Sequence, residues 1–314
     1  MQFKKPKFWD LQKPSFYSIL LSPFSKIVEL INFFKSKIIT KKKFFNIKTI
    51  CIGNIYIGGT GKTSLAIKIN QLLKDRNVKS CFLKKFYLNH KDEIKLLKQH
   101  GKVFADTKRE KSLKNAIQEK YEIGIFDDGL QDYTIDYDLK ILCFNNINWI
   151  GNGKVIPAGP LRENFNNIKN YKYIFLNGNL ENIENIKKII SKVNPISQIF
   201  TGIYKPSNLH EFNTSEPHIV FSGIGNHQTF LSMIKNYKFN VIHDLEFPDH
   251  YNYTKDDLEK IILKSKELDC KIITTEKDFL RINNKNLKEI KFIKTELYIK
   301  DEEKLINAIF KLNE

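Results

Sequence analysis

The feature that most constrains this chain is the run Gly58-Gly59-Thr60-Gly61-Lys62-Thr63, set between a β-rich segment at 49–52 and a helical pattern opening at Ser64-Leu65-Ala66. A strand, a glycine-rich turn and a helix start, in that order, form the context of a phosphate-binding loop. Glycines let backbone N–H groups close around phosphate oxygens, Lys62 reaches the β and γ phosphates, and the Thr63 hydroxyl suits Mg²⁺. Tyr56 replaces the first glycine of the strict eight-residue pattern, but the GGTGKT half is intact, which argues against a plain glycine turn.

Short β-rich runs then alternate with amphipathic stretches. Residues 49–52, 80–83, 123–126 and 140–144 read as strands, separated by helices such as 62–73 and 108–120. That alternation implies an α/β fold, a phosphate-loop parallel sheet with helices on both faces and ligands gathered at the carboxyl ends of the strands. A second strand-rich series at 173–176, 218–221, 241–245, 271–274 and 291–298 points to a second, smaller α/β unit. The expected division is an N-terminal helical segment over 1–44, a phosphate-loop core over 45–204 and a C-terminal α/β unit over 205–314.

Lysine and arginine number 52 against 35 aspartates and glutamates, and the resulting +17 favours phosphates, nucleic acid or an anionic membrane as partners. No nucleic-acid recognition motif accompanies the charge, so nucleic acid is not expected. Cys51, Cys81, Cys143 and Cys270 form no CxxC pair, which argues against a zinc site or disulfide framework and fits a reducing cytosol. The longest uncharged run near the N-terminus, Pro14 to Ser25, is well short of the ~20 residues of a spanning helix and lacks a small-residue cleavage site.

From Leu20 onward, Phe24, Ile27, Ile31, Phe34 and Ile38 recur on one helical stripe, with Ser22-Pro23 as the start signal. Lys26, Lys35 and Lys37 lie off the stripe and Lys41, Lys42 and Lys43 follow it, a combination suited to a helix lying in an anionic membrane surface. The alternatives are a helix that covers the protein's own core or packs on a second copy.

An apolar run at 123–126 leads into Asp127-Asp128-Gly129, the place where a phosphate-loop enzyme holds its metal. Asp92 and Glu93 precede a helical run and read, on their own, as charges complementing a helix N-terminus. His250, after Phe247-Pro248-Asp249, has no role assignable from spacing.

Together the motifs resemble the tetraacyldisaccharide 4'-kinases, the lipid A 4'-kinases of Gram-negative envelope synthesis. The resemblance runs from Gly53-Asn54-Ile55 and the phosphate loop through Asp127-Asp128-Gly129-Leu130-Gln131 to Gly151-Asn152-Gly153 and Pro157-Ala158-Gly159-Pro160-Leu161-Arg162-Glu163. It continues in Phe221-Ser222-Gly223-Ile224-Gly225-Asn226, Phe247-Pro248-Asp249-His250-Tyr251 and Thr275-Glu276-Lys277-Asp278. It implies transfer of the ATP γ-phosphate to the 4'-hydroxyl of an acylated glucosamine disaccharide 1-phosphate at the cytosolic face of the bacterial inner membrane, giving lipid IVA. It also implies Asp92 as base, His250 as its partner, and Asp127, Asp128 and Glu93 with Thr63 toward Mg²⁺. Arg162 would stabilise phosphate charge and Gln131 would position substrate. The sequence departs from the family where an arginine-glycine-tyrosine-glycine stretch is usual, having Lys84-Lys85-Phe86-Tyr87. Ile94 stands for the proline that commonly follows the Asp-Glu pair, and the spacing from Tyr87 to Asp92 is short. The competing reading is a phosphate-loop ATPase switch or transport ATPase without a lipid acceptor; no N/TKxD guanine motif supports a GTPase.

Overall fold

The computed structural model describes residues 5–11, 13, 15–87, 91–282 and 288–311; Pro14 and the short stretch before Asp92 at 88–90 lie outside them. After helix α1 (Phe16–Ile38), the chain runs β1 (Lys48–Gly53), α2 (Lys62–Lys74), β2 (Ser80–Lys85), α3 (Lys91–His100), β3 (Val103–Asp106), α4 (Arg109–Gln118), β4 (Ile123–Asp127) and β5 (Leu139–Asn145). β6 (Tyr173–Gly178), α5 (Ile183–Val193) and β7 (Gln198–Pro206) follow. Next come β8 (Pro217–Ser222), α6 (His227–Asn236), β9 (Asn240–Glu246), α7 (Lys255–Glu267), β10 (Lys271–Thr275), the short α8 (Glu276–Phe279) and β11 (Ile290–Ile293). β12 (Thr295–Ile299) and α9 (Glu302–Phe310) close the chain.

The first sheet has eight strands in the order β12-β7-β6-β5-β1-β4-β2-β3, parallel except for β12 against β7. The second has four parallel strands, β11-β10-β8-β9. Helices cover both faces of the first sheet, so β1 is apolar on alternate sides. Ile50 and Ile52 pack with Leu65, Ile69 and Leu73 of α2, while Cys51 packs with Leu83, Phe126 and Phe144 on the other face. β1 lies between β4 and β5, with the chain running to opposite sides from there. Its carboxyl end is therefore a topological switch point, where a ligand crevice opens.

Expectations change first for the second strand series and then for α1. Residues 291–298 are not one strand: the chain leaves the second sheet at Ile293 and re-enters the first at Thr295. The polar run Lys294-Thr295-Glu296 marks the break. At the crossing, the Lys294 N–H donates to Asn208 Oδ1 at 2.9 Å and the Lys294 carbonyl accepts from the Ser207 N–H at 2.9 Å. The two connections between the sheets thus run side by side. The 173–176 segment, grouped in sequence with the second series, is β6 of the first sheet.

The second change concerns α1, which begins at Phe16, capped by Ser15, rather than at Ser22-Pro23, and carries Pro23 inside it. Contacts on either side of Pro23 outweigh its tendency to start a helix. The Ser18 and Ser25 hydroxyls donate to the carbonyls of Ala158 and Val155 at 2.9 and 2.7 Å, and Asn32 Nδ2 donates to the Arg162 carbonyl at 2.9 Å. This polar seam faces the protein. The apolar stripe faces away from it, with Phe24 57%, Ile31 46% and Ile38 75% exposed, so it does not cover the protein's own core. No helix among the described residues is long and apolar enough to cross a membrane.

Candidate active site

The turn after β1 is built by conformations that side chains resist. Gly58 and Gly61 have φ of +116° and +77°, and a Cβ on Gly61 would lie 2.5 Å from the Tyr204 hydroxyl and 2.7 Å from Asn177 Nδ2. Asn177 Nδ2 donates to the Thr60 carbonyl at 2.8 Å, and Asn54 Nδ2 donates to Thr60 Oγ1 at 2.9 Å, fixing the loop from two strand ends. Gly59 meets the second lobe: a Cβ there would come within 2.7 Å of the Gly225 carbonyl carbon in the Phe221-to-Asn226 motif. Tyr56, which replaces the missing glycine, is buried, and its hydroxyl donates to Asp10 at 2.9 Å. The loop leads directly into the N-terminus of α2, whose unpaired N–H groups and dipole favour an anion.

Asp127 and Asp128 stand below this loop. Thr63 Oγ1 donates to Asp127 Oδ2 at 2.9 Å, and Lys62 Nζ lies 3.9 Å from Asp128 Oδ2. Arg162 donates to Asp128 Oδ1 at 3.0 Å and to Gln131 Oε1 at 2.9 Å. Burial alone would raise the Asp128 pKa, but Lys62 and Arg162 outweigh it and hold the carboxyl well below the usual range. Gln131 Nε2 donates to the Asn54 carbonyl at 2.9 Å and to Glu163 at 3.0 Å, so its side chain braces Arg162 against the loop. Asp127 Oδ1 is buried and has no hydrogen-bond partner among the described residues, the kind of orphaned oxygen that a cation satisfies. Thr63, Asp127 and the partly exposed Asp128 therefore fit a divalent cation at the phosphates.

On the opposite wall, the fold brings Asp92 of α3 to His250, which is far away in sequence. His250 Nδ1 lies 3.3 Å from Asp92 Oδ2. The histidine has φ of +57°, an unfavourable backbone conformation, and its N–H donates to the Gly223 carbonyl at 3.0 Å. Arg281 Nη2 and Nε donate to the same Asp92 oxygen at 2.8 and 3.0 Å, and Lys277 Nζ is 3.8 Å away. Burial pushes the Asp92 pKa up, while the hydrogen bond from His250 and the charges of Lys277 and Arg281 more than reverse this, leaving it well below the usual carboxylate range. Glu93 is engaged by two ammonium groups, Lys84 Nζ at 2.7 Å and Lys277 Nζ at 2.9 Å.

Phosphate loop, Asp128, Arg162, Asp92, His250 and Arg281 line a single open cleft of about 1870 Å³ between the two sheets. Arg281 was not singled out from sequence. Its only local signal is a position three residues after Asp278, to which it donates at 2.9 Å, and its reach to Asp92 is wholly tertiary.

A family model described as Tetraacyldisaccharide-1-P 4'-kinase (LpxK) matches residues 17–314. The chain belongs to the tetraacyldisaccharide 4'-kinase family. It is 56% identical over 316 residues to a tetraacyldisaccharide 4'-kinase of Pelagibacter ubique (strain HTCC1062), covering 100% of this chain and 99% of that one. A member of the same name from Rickettsia peacockii (strain Rustic) is 33% identical over 324 residues, covering 98% of each chain. The crystal structure of an "apo" form LpxK from Aquifex aeolicus in complex with ATP shares the fold, with a TM-score of 0.68 at 24% identity over 94% of this chain and 99% of that one.

Proposed function

We propose that this chain is the ATP-dependent kinase of its family, transferring the γ-phosphate to the 4'-hydroxyl of a tetraacyldisaccharide 1-phosphate to give lipid IVA in lipid A biosynthesis. The observation that carries the reading is that one cleft holds a phosphate loop on one wall and the Asp92–His250 pair, 3.3 Å apart, on the other. A hydrolytic switch needs the first wall only.

The 4'-hydroxyl gives its proton to Asp92 as its oxygen bonds to the γ-phosphorus. The bond from that phosphorus to the β–γ bridging oxygen breaks, and ADP leaves. His250, whose Nδ1 lies 3.3 Å from Asp92 Oδ2, donates to that carboxylate and holds it in place for the transfer. Lys62, the loop N–H groups and Arg162 face the charge that spreads over the phosphate oxygens. Mg²⁺, held by Thr63 with Asp127 and Asp128, would neutralise β- and γ-phosphate charge when bound. Gln131 keeps Arg162 in place through its 2.9 Å contact.

The site would work at the cytosolic face of the inner membrane, with α1 as the surface anchor. Its outward stripe is a long apolar patch of the kind that marks a membrane or partner surface. Lys35, Lys37 and Lys41 are exposed beside it, whereas Lys42 and Lys43 are ion-paired to Glu110 and Asp138 at 3.1 and 2.7 Å. Phe24→Asp with Ile31→Asp should weaken binding to phosphatidylglycerol vesicles at least about tenfold, given that burying one such side chain is worth about 1.5–3 kcal/mol. Flotation of wild type and variant checks this, and equal flotation would remove α1 as the anchor.

The direct test is incubation with ATP, Mg²⁺ and tetraacyldisaccharide 1-phosphate in mixed micelles, read by mass spectrometry of the lipid. A bis-phosphorylated product is expected. ATP hydrolysis with no lipid product would replace the kinase by an ATPase switch.

A further inference from the structure

Lys84 is the penultimate residue of β2. Its side chain is 4% exposed, and its ammonium sits between two carboxylates from different elements: Asp127 Oδ2 at 2.5 Å and Glu93 Oε2 at 2.7 Å. Asp127 ends β4 beneath the phosphate loop and is hydrogen-bonded to Thr63 of that loop. Glu93 is the neighbour of Asp92 on α3. The other oxygen of Glu93 is 2.9 Å from Lys277 Nζ and 3.6 Å from His250 Nε2. A continuous line of charged contacts therefore runs from Thr63 through Asp127, Lys84 and Glu93 to the His250–Asp92 pair. Lys84 is the only link in it that touches both walls of the cleft among these residues.

We propose that Lys84 is a positioning residue, an internal cation that ties the phosphate loop's aspartate to the helix carrying Asp92 and so sets the distance between phosphoryl donor and base. The proposal rests on the kinase reading above. It assigns Glu93 a different role from the metal ligand expected from sequence: both Glu93 oxygens are engaged by ammonium groups, and a metal would have to displace one of them. Two carboxylates within 2.7 Å of the buried Lys84 nitrogen favour its charged, ammonium form. A fixed ammonium at this place needs no metal concentration to hold the two carboxylates together. Because in-line transfer is sensitive to displacements near 1 Å, loosening this tie should reach the chemical step while leaving nucleotide affinity nearly unchanged.

Three variants test it: Lys84→Met, Glu93→Gln and the double. Wild-type phosphorylation of the lipid is the first control; its absence would sink the kinase reading, not the tie. Given an active wild type, Lys84→Met should lower kcat about 30-fold with KM for ATP changed less than about threefold, since geometry rather than binding is lost. The double variant should be no slower than about twofold below the worse single, as residues acting through one contact are not additive. Multiplicative losses, or a Lys84→Met enzyme within about twofold of wild-type kcat, would overturn the proposal.

The second readout needs no turnover and does not depend on Lys84→Met folding. Titration calorimetry of ADP at a series of Mg²⁺ concentrations, on wild type and Glu93→Gln, reports whether Glu93 binds the metal. The Mg²⁺ requirement should stay within about twofold, whereas loss of a direct carboxylate ligand would raise it about tenfold or more and overturn the assignment.

Discussion

Lys62→Ala is expected to reduce lipid phosphorylation by about 10³-fold, the scale on which a single donor to developing phosphate charge acts. Lys62 begins α2 and is aimed past Thr63 toward Asp128, 3.9 Å away, so in the absence of nucleotide its charge is kept in the site by a carboxylate rather than by solvent. Nucleotide phosphates offer it a stronger anion than one aspartate. The substitution leaves Asp128 paired with Arg162 at 3.0 Å, so the fold should survive, and the melting midpoint should fall by no more than a few degrees. The measurement is product lipid per enzyme at saturating ATP. Activity within tenfold of wild type in a folded Lys62→Ala protein would mean that the loop is not the phosphoryl donor site.

Asp92→Asn is the second large effect. Loss of a positioned base costs about 10²–10⁴-fold, and on the proposed reading the loss should appear in kcat with KM for ATP changed by less than about threefold, because Asp92 stands across the cleft from the phosphate loop. Asparagine preserves the shape, and Arg281 retains Asp278 at 2.9 Å, which limits the damage to the second lobe. Near-wild-type turnover in a folded Asp92→Asn enzyme would overturn the base assignment. The sign of the pH effect follows from the depressed pKa. An aspartate whose folded pKa lies below its unfolded value of about 3.9 contributes stability above that value, which is lost as pH falls toward the folded one. Asp92 thus remains ionised throughout the neutral and mildly acidic range. Any acid limb of kcat above about pH 5 comes from another group, and such a limb should still be present in a rate–pH profile of Asp92→Asn measured on its residual activity.

The sequence readings succeeded where local pattern and local chemistry coincide. The phosphate loop announces itself because only glycines tolerate its φ of +116° and +77°, and because the apolar run of β1 and the amphipathic α2 flank it. The strands at 49–52, 80–83, 123–126, 140–144 and 173–176 were legible for the same reason, as both faces are covered, whereas β3 and β7 were not read from the sequence. The split at Lys294 was not legible, because only a short polar run, Lys294-Thr295-Glu296, separates two β-rich pieces, and which sheet each joins is set by tertiary pairing. The start of α1 was misplaced because Pro23 is a strong local signal, overruled by hydrogen bonds from Ser18 and Ser25 to carbonyls more than a hundred residues away.

Composition and motif order by themselves determined an α/β phosphate-loop protein with carboxylates after β4 and an apolar, cationic N-terminal helix. Those properties depend on backbone conformation and periodicity, which are written residue by residue. The tertiary structure alone decided that Asp92 meets His250 and Arg281, that Lys84 lies between Asp127 and Glu93, and that the apolar stripe of α1 faces outward. Each of these rests on burying charges or hydroxyls against partners supplied by distant segments, and the cost of leaving a buried polar group unpaired, about 1–3 kcal/mol, is imposed only when those segments come together.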